Sequence, residues 1–236
     1  MPGDLLPRLA AEPRLAAILL DVDGTLAPIV ERPEDARVPD ETRRELARLA
    51  SQYALVACVS GRPGADVERI VDVPGVAAVG EHGLELAPEA ERWAERVADF
   101  ASGVDWPAER KPLSVSFHFR RADDEAAARA YLTRVETAAR EAGLVPRWGR
   151  MVLEVRPPVE ANKGTAVTAL LARAAVTRAL YAGDDTTDLD AFAGLDGLEL
   201  GVRVAVDSAE APPALLTAAD VVVAGPEGML AVLREL

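Results

Sequence analysis

The stretch AILLDVDGTLAP, residues 17–28, decides the fold. Its apolar run leads into two aspartates, Asp21 and Asp23, which are separated by one residue and followed by Gly24 and Thr25. A short apolar run without alternation is typical of a parallel strand that is covered on both faces. Doubly wound sheets bind their ligands at the carboxyl ends of the strands. The stretch therefore predicts an acidic site at that edge of a sheet.

The rest of the chain alternates between strand and helix patterns on either side of a central segment. The predicted elements are strand 16–23, helix 39–52, strand 54–60, helix 63–71, one or two short strands in 75–86, helix 163–175, strand 179–183, helix 187–193, strand 198–205, helix 211–218, strand 220–225 and helix 226–236. This order predicts an α/β protein with a Rossmann-like, doubly wound parallel-sheet core.

The central segment follows a different pattern. Residues 113–120 and 150–157 alternate polar and apolar side chains, as half-solvated strands do, and residues 123–143 between them favour a long helix. We therefore expect a discontinuous core at 1–106 and 159–236, with a small α+β domain inserted at 107–158.

Composition narrows the classes of partner. The formal charge of −13 over 236 residues argues against nucleic acid and anionic membranes, both of which attract cationic surfaces. No apolar stretch approaches the roughly 20 residues that span a bilayer, and the N-terminus lacks a signal-peptide pattern. We expect a cytoplasmic protein that acts as a monomer on a small molecule. The cations are almost all arginine, so the two lysines, Lys111 and Lys163, suggest positions that need a compact ammonium group.

Polar residues stand at the ends of three predicted core strands and at the start of the helix that follows the inserted segment. They come from distant parts of the chain: Asp21, Asp23, Ser60, Lys163, Asp184, Asp185 and Asp188. Carboxylates gathered in one cleft repel one another, and a hard cation such as Mg²⁺ offsets that repulsion. Asp21 and Asp184 are the expected metal ligands, with a backbone carbonyl between the first two acids as a further candidate.

These residue types suit phosphoryl transfer to an aspartate. Asp21 would be the nucleophile, and Asp23 would protonate the leaving alcohol and then deprotonate water. Gly24 permits a tight turn whose N–H groups face a phosphate, and the hydroxyls of Thr25 and Ser60 are further donors. The alternative is a polar loop that caps the next segment, because Asp and Gly are ordinary turn residues.

The motifs DVDGT, VSGR, NKG and GDDTTD, in this order, resemble those of haloacid-dehalogenase-type phosphatases. Together with GEHGLE, SVSFHFR, EVRPPVEANKG and YAGDDTTDLDAF, they are similar to the trehalose-6-phosphate phosphatase family over nearly the whole chain. The resemblance implies Mg²⁺, an aspartyl-phosphate intermediate, a mobile cap formed by the inserted domain, and hydrolysis of trehalose 6-phosphate to trehalose and phosphate.

The resemblance also assigns roles to residues. It implies that Asp21 attacks, that Asp23 moves protons and binds the metal through its carbonyl, and that Asp184 binds the metal with support from Asp185 and Asp188. Phosphate would be bound by Thr25, Ser60, Gly61 and Lys163. The sugar-binding candidates are His82, Lys111, His118, Arg120, Glu154 and Arg156. Leu189 departs from the family pattern, which commonly has an acid there.

Other functions compete with this one. A related phosphatase could act on glucosyl-3-phosphoglycerate, mannosyl-3-phosphoglycerate or sucrose-6-phosphate, and only the inserted segment separates these substrates. A phosphorylatable signalling receiver also uses an aspartate, a lysine and Mg²⁺, but a second acid such as Asp23 would hydrolyse its lasting phosphate. A catalytically silent domain is disfavoured by the intact Asp21, Asp23, Lys163 and Asp184.

Overall fold

The structure is a computed structural model that describes residues 4–30, 32–149, 151–208 and 211–236. Its strands are β1 (Ala16–Leu20), β2 (Leu55–Val59), β3 (Ala77–Val79), β4 (Glu109–Arg110), β5 (Val115–His118), β6 (Val145–Gly149), β7 (Val152–Arg156), β8 (Arg178–Gly183), β9 (Leu200–Asp207) and β10 (Val221–Ala224). Its α-helices are α1 (Leu5–Ala10), α2 (Asp40–Gln52), α3 (Gly64–Val71), α4 (Ala94–Ser102), α5 (Glu125–Glu141), α6 (Lys163–Ala174), α7 (Asp188–Ala193), α8 (Pro213–Ala218) and α9 (Gly225–Glu235).

The chain divides into two compact units. The first comprises Met1–Leu86 and Ala161–Leu236, and the second comprises Ala87–Glu160. The second unit starts earlier than the expected insertion at 107–158 because Val97 and Ala101 of α4 pack into its hydrophobic core. Among the described residues, no helix combines the length and the hydropathy needed to cross a bilayer.

The first unit has the predicted doubly wound architecture. Its described residues form a six-stranded parallel sheet in the order β10-β9-β8-β1-β2-β3. All five residues of β1 are buried, with Ile18 and Leu20 packing into one core cluster and Ala17 and Leu19 into another. Because β1 is covered on both faces, its sequence needs no polar alternation.

The register of the sheet brings three strand ends side by side. Leu20 of β1 pairs with Cys58 of β2 on one side and with Ala182 of β8 on the other. The residues that follow these strands therefore meet at one edge of the sheet. This register places the segments that start at Asp21 and Asp184 next to each other.

Helix α6 begins close to this edge and has a strong N-terminal signal. The Asn162 side chain accepts a hydrogen bond from the Thr165 backbone N–H (2.8 Å), and the Thr165 hydroxyl is 3.0 Å from the Asn162 N–H. This reciprocal capping box fixes the first turn of the helix. Lys163, the first residue of α6, is consequently held at a defined position.

The second unit is an α+β structure. Its described residues form a four-stranded antiparallel sheet in the order β4-β5-β7-β6, and one face of the sheet packs against α4 and α5. Phe117 and Leu153, which pair across β5 and β7, lie in that core with Leu132 of α5. The short strand β4 and the strand β6 were not predicted. Arg150, at the start of the predicted strand 150–157, lies outside the described residues.

The region 75–86 contains one strand, within the prediction of one or two. This strand, β3, is followed by a 3₁₀ segment, Glu81–Leu86. Within that segment His82 has φ 55° and Gly83 has φ 93°, so the chain turns directly after β3. The predicted helices at 39–52 and 163–175 each agree with the structure to within one residue at either end.

Candidate active site

Three carboxylates converge at the sheet edge. Asp21 directly follows β1, Asp184 directly follows β8, and Asp188 is the first residue of α7. A carboxylate oxygen of each lies within 4.8 Å of the others, and all three residues are buried. The Asp21 backbone N–H donates to the Ala182 carbonyl at 2.8 Å, so the first acid is tied to the neighbouring strand.

Lys163 is buried among these acids. Its Nζ lies 2.6 Å from Asp188 Oδ1 and 3.1 Å from Asp21 Oδ1. Asp188 also accepts hydrogen bonds from the Tyr181 hydroxyl (2.7 Å) and from the backbone N–H groups of Asp184 (3.0 Å) and Asp185 (2.9 Å). Asp188 is thus saturated by donors within the protein, and its contacts orient Lys163 and the loop that carries Asp184.

The charges of the cluster do not balance, since three acids face one lysine. Burial raises the pKa of Asp21 well above its usual value despite the opposing charge of Lys163. Burial, followed by the charge of Asp188, raises the pKa of Asp184 to about 7. Burial by itself lowers the pKa of Lys163, but the charges of Asp188 and Asp21 outweigh it and raise that pKa. The site can therefore accept additional positive charge.

The turn after β1 is shaped to fit against Asp184. The Gly24 N–H donates to the Ala27 carbonyl at 2.8 Å, and Gly24 has φ 78°. A Cβ at this position would lie 2.0 Å from Asp184 Oδ2, so only glycine allows the approach. Thr25 is fully buried, and its hydroxyl has no hydrogen-bond partner among the described residues.

Asp23 makes a contact that was not predicted. Both of its carboxylate oxygens accept hydrogen bonds from Arg62, at 2.6 Å from Nε and 2.8 Å from Nη2. Asp23 is also absent from the buried acidic cluster, because its side chain turns away to Arg62 and is 34% exposed. The only signal for this contact was the position of Arg62 in the motif VSGR.

Ser60, Gly61 and His82 lie together at the end of β2. Ser60 is buried, and its carbonyl accepts a hydrogen bond from the His82 backbone N–H at 2.9 Å. The imidazole of His82 packs against Gly61, where an added Cβ would be 2.6 Å from Nε2. The structure therefore brings His82 next to two of the predicted phosphate-binding residues.

Two further acids, Asp185 and Glu85, accept hydrogen bonds from backbone N–H groups. The carboxylate of Asp185 accepts from the Thr186 N–H at 2.7 Å and is not part of the acidic cluster. Glu85 was not singled out from the sequence, although it lies in the motif GEHGLE. It accepts hydrogen bonds from the N–H groups of Gly64 (2.7 Å) and Gly80 (2.8 Å) and so joins the loops after β2 and β3.

The remaining sugar-binding candidates lie in the second unit. Glu154 is at the centre of one group, with Lys111 Nζ 3.8 Å and Arg156 Nε 3.9 Å from its carboxylate. Glu154 also pairs in register with Ser116, on the sheet face opposite the helices. His118 lies 2.8 Å from Glu109 at an exposed position. Arg120 is exposed in the turn after β5.

The first unit can hold a divalent metal. The donors are all oxygen atoms, which hard cations prefer, and they come from two distant parts of the chain. The excess of acidic charge suits a cation, and the buried Thr25 hydroxyl, which has no partner in the described part of the chain, suits an anionic group beside it. Asp21 and Asp184 fit as ligands, whereas Asp188 is already engaged by Lys163 and Tyr181.

Solved structures identify the class of the fold. The chain resembles a haloacid dehalogenase-like hydrolase from Bacteroides thetaiotaomicron, with a TM-score of 0.62, 17% identity, and coverage of 94% of this chain and 99% of that one. The chain therefore has the fold of a haloacid dehalogenase-like hydrolase. The trehalose-phosphatase family model matches residues 19–106 and 107–223, and the chain belongs to that family.

Individual relatives agree with the family. A trehalose-phosphate phosphatase of Mycobacterium bovis is 33% identical over 226 residues, which is 86% of this chain. The C-terminal domain of a Candida albicans trehalose-6-phosphate phosphatase matches with a TM-score of 0.72 and 25% identity, over 98% of this chain and 95% of that one.

The chain is shorter than the curated relatives that it matches. It spans 57% of the M. bovis phosphatase. It spans 16% of MT2062 of Mycobacterium tuberculosis, described as an uncharacterized glycosyl hydrolase, to which it is 34% identical over 215 residues, or 81% of this chain.

Proposed function

We propose that this chain is a Mg²⁺-dependent phosphatase that hydrolyses trehalose 6-phosphate to trehalose and phosphate. The observation that carries the proposal is the convergence of Asp21, Lys163, Asp184 and Asp188 at one sheet edge, in a chain that matches the trehalose-phosphatase family across both units. The M. bovis relative that carries the name trehalose-phosphate phosphatase supports the choice of substrate.

The first half of the reaction transfers the phosphoryl group to Asp21. An Oδ atom of Asp21 attacks phosphorus while the bond from phosphorus to the sugar oxygen breaks. Asp23 gives its proton to the departing sugar oxygen, so that trehalose leaves as a neutral alcohol. Lys163, 3.1 Å from Asp21, orients the nucleophile and offers positive charge to the phosphate.

The second half restores the enzyme. Asp23, now ionised, takes a proton from a water molecule, whose oxygen attacks phosphorus as the bond to Asp21 Oδ breaks. Phosphate is released and Asp21 regains its carboxylate. Ser60, the Gly61 backbone and the buried hydroxyl of Thr25 are the proposed phosphate donors. The assignment of Thr25 is supported by the lack of a partner for its hydroxyl among the residues that the structure describes.

Mg²⁺ would be held by the carboxylates of Asp21 and Asp184 and by the Asp23 carbonyl, with Asp185 and Asp188 supporting them. When bound, it would neutralise the phosphate charge and polarise the phosphoryl oxygens. Asp188 would act through its contacts with Lys163 and with the Asp184 backbone N–H.

Recognition of the sugar is assigned to the second unit, Ala87–Glu160, within which the predicted cap comprises residues 107–158. Lys111, Glu154 and Arg156 form a charged group of partly or fully buried side chains, and such groups suit a ligand rich in hydroxyls. His118, Arg120 and, from the first unit, His82 are further candidates. Monomeric assembly and a cytoplasmic location also remain our predictions.

A panel of phosphate esters tests the substrate. Phosphate release with Mg²⁺ is measured for trehalose 6-phosphate, sucrose-6-phosphate, glucose-6-phosphate, glucosyl-3-phosphoglycerate and mannosyl-3-phosphoglycerate. We expect the highest kcat/KM for trehalose 6-phosphate. If glucose-6-phosphate were turned over equally well, the substrate assignment would be lost and the phosphatase class retained. If no ester were hydrolysed, the proposed function would fall.

A further inference from the structure

Arg62 is held at the active site by its backbone as well as by its side chain. Its N–H donates to Ser60 Oγ at 3.2 Å, and its carbonyl accepts from the Glu81 N–H at 2.9 Å. Its guanidinium donates through Nε and Nη2 to the two oxygens of Asp23 and through Nη1 to the Pro33 carbonyl at 2.9 Å. The residue therefore links the loop after β2 to the loop after β1.

The pairing with Asp23 has the geometry that fixes a carboxylate. A carboxylate rotates readily about its last side-chain bond, and the Asp23 side chain is one-third exposed, at 34%. Two parallel N–H contacts to the two oxygens stop that rotation and set the plane of the group. The Arg62 side chain is itself only 17% exposed, so its own position is restricted by the residues around it.

We propose that Arg62 is a positioning residue that fixes the orientation in which Asp23 transfers protons, an inference that rests on the proposed phosphatase function. Ionised Asp23 has about four acceptor sites, and Arg62 uses two of them. A lone pair remains for the proton of the attacking water while the water oxygen bonds to phosphorus. Because Arg62 directly follows Ser60 and Gly61, the loop that meets the phosphate also sets the direction of Asp23.

Two other roles for Arg62 make different predictions. If Arg62 bound the phosphate directly, its loss would raise KM and would not depend on Asp23. If Arg62 served only to tether the loop around Pro33, then Arg37 would be equivalent, since Arg37 donates to the carbonyls of Glu34 (2.9 Å) and Ala36 (2.6 Å) in the same loop.

A double-mutant cycle separates these roles. Arg62→Ala, Asp23→Asn, the double variant and the control Arg37→Ala are assayed with Mg²⁺ on trehalose 6-phosphate and on p-nitrophenyl phosphate. The aryl ester leaves as a stable anion, which keeps turnover measurable without an acid. We expect Arg62→Ala to lower kcat on trehalose 6-phosphate by about 10- to 100-fold with little change in KM. This loss is part of the rate enhancement that general acid–base catalysis typically supplies. In the Asp23→Asn background the same change should cost less than about twofold, and Arg37→Ala should resemble the wild type.

Chemical rescue and a conservative variant protect the test against misfolding. Guanidinium ion added at millimolar concentration should restore part of the activity of Arg62→Ala and none of that of the double variant. Arg62→Lys, which offers a point charge without the planar fork, should fall between wild type and Arg62→Ala. An undiminished loss in the Asp23→Asn background, or a loss confined to KM, overturns the inference while the phosphatase function stands. A wild-type protein that hydrolyses neither ester overturns both.

Discussion

Asp188 offers the sharpest test of how the site is stabilised. Its replacement by Asn keeps the shape of the side chain but removes the negative charge 2.6 Å from Lys163. The amide can satisfy one pair of donors only, because an NH₂ group then faces either the lysine and Tyr181 or the two backbone N–H groups of Asp184 and Asp185.

The size of the effect follows from the surroundings of Lys163. Removing one partner of a buried ion pair typically costs about 3–5 kcal/mol. Asp188 is the nearer of the two acids that face Lys163, at 2.6 Å from Nζ against 3.1 Å for Asp21. The substitution also removes the repulsion between Asp188 and Asp184, which offsets part of the lost stability. This gain is small, because Asp184, with its pKa of about 7, can relieve the repulsion by taking up a proton. We expect a loss of about 3 kcal/mol, near the lower end.

Urea unfolding in EDTA at neutral pH, followed by far-ultraviolet circular dichroism, measures this loss. With a urea dependence of roughly 2–3 kcal/mol per molar, the midpoint of Asp188→Asn should fall by about 1 M. Asp190→Asn is the matched control, since it makes the same change two residues further along α7 at an exposed position and should stay within about 0.5 kcal/mol. Equal midpoints for Asp188→Asn and wild type would refute the view that Asp188 supports Lys163.

Four other outcomes test the chemistry. Asp21→Asn should abolish phosphate release while the circular dichroism spectrum stays native, and residual activity above about 1% would remove Asp21 from the nucleophile role, because loss of a nucleophile typically costs far more than a hundredfold. EDTA should stop turnover, and added Mg²⁺ should restore it. Because protons compete with the metal for Asp184, whose pKa is about 7, the Mg²⁺ concentration that gives half-maximal activity should fall as the pH rises to about 7 and level off above it. A Mg²⁺ requirement that does not change with pH would contradict this. Gly24→Ala, whose Cβ would lie 2.0 Å from Asp184 Oδ2, should weaken Mg²⁺ binding, measured by titration, and should lower activity by at least the same factor. A variant that binds Mg²⁺ as tightly as the wild type would be inconsistent with the close approach of Gly24 to Asp184. Glu154→Gln should raise KM for trehalose 6-phosphate and leave p-nitrophenyl phosphate hydrolysis unchanged; an equal effect on both esters would count against sugar recognition.

Much of the first unit could be predicted because its signals are local. A buried parallel strand reads as an apolar run, and the register of such strands brings their ends together whatever the length of chain between them. For this reason Asp21 and Asp184 could be placed at one site from a pattern alone. The start of α6 at Lys163 was equally readable, since Asn162 and Thr165 form a capping box.

The parts that could not be predicted depend on side-chain direction. Asp23 follows β1 just as Asp21 does, yet its carboxylate turns to Arg62 and not to the acidic cluster. Which of the many arginines of the chain would meet it depends on the path of the loop after β2, and no periodicity encodes that path. Strand β6 was missed because Pro146 and Gly149 interrupt the pattern that marks a strand.

The two lysines lie at positions where the arrangement of nearby acids favours lysine over arginine. Lys163 and Lys111 have side chains only 2% and 10% exposed, whereas an ordinary solvated cation would be far more open. Lys163 contacts acids that arrive from β1 and α7 at different angles, and a compact ammonium with three rotatable donors can satisfy both, while the planar fork of arginine is suited to one carboxylate at a time. The opposite holds for Arg62, whose two parallel N–H groups match the two oxygens of a single carboxylate. In a chain that otherwise uses arginine for positive charge, the choice between the two cations therefore follows the geometry of the acids that each one meets.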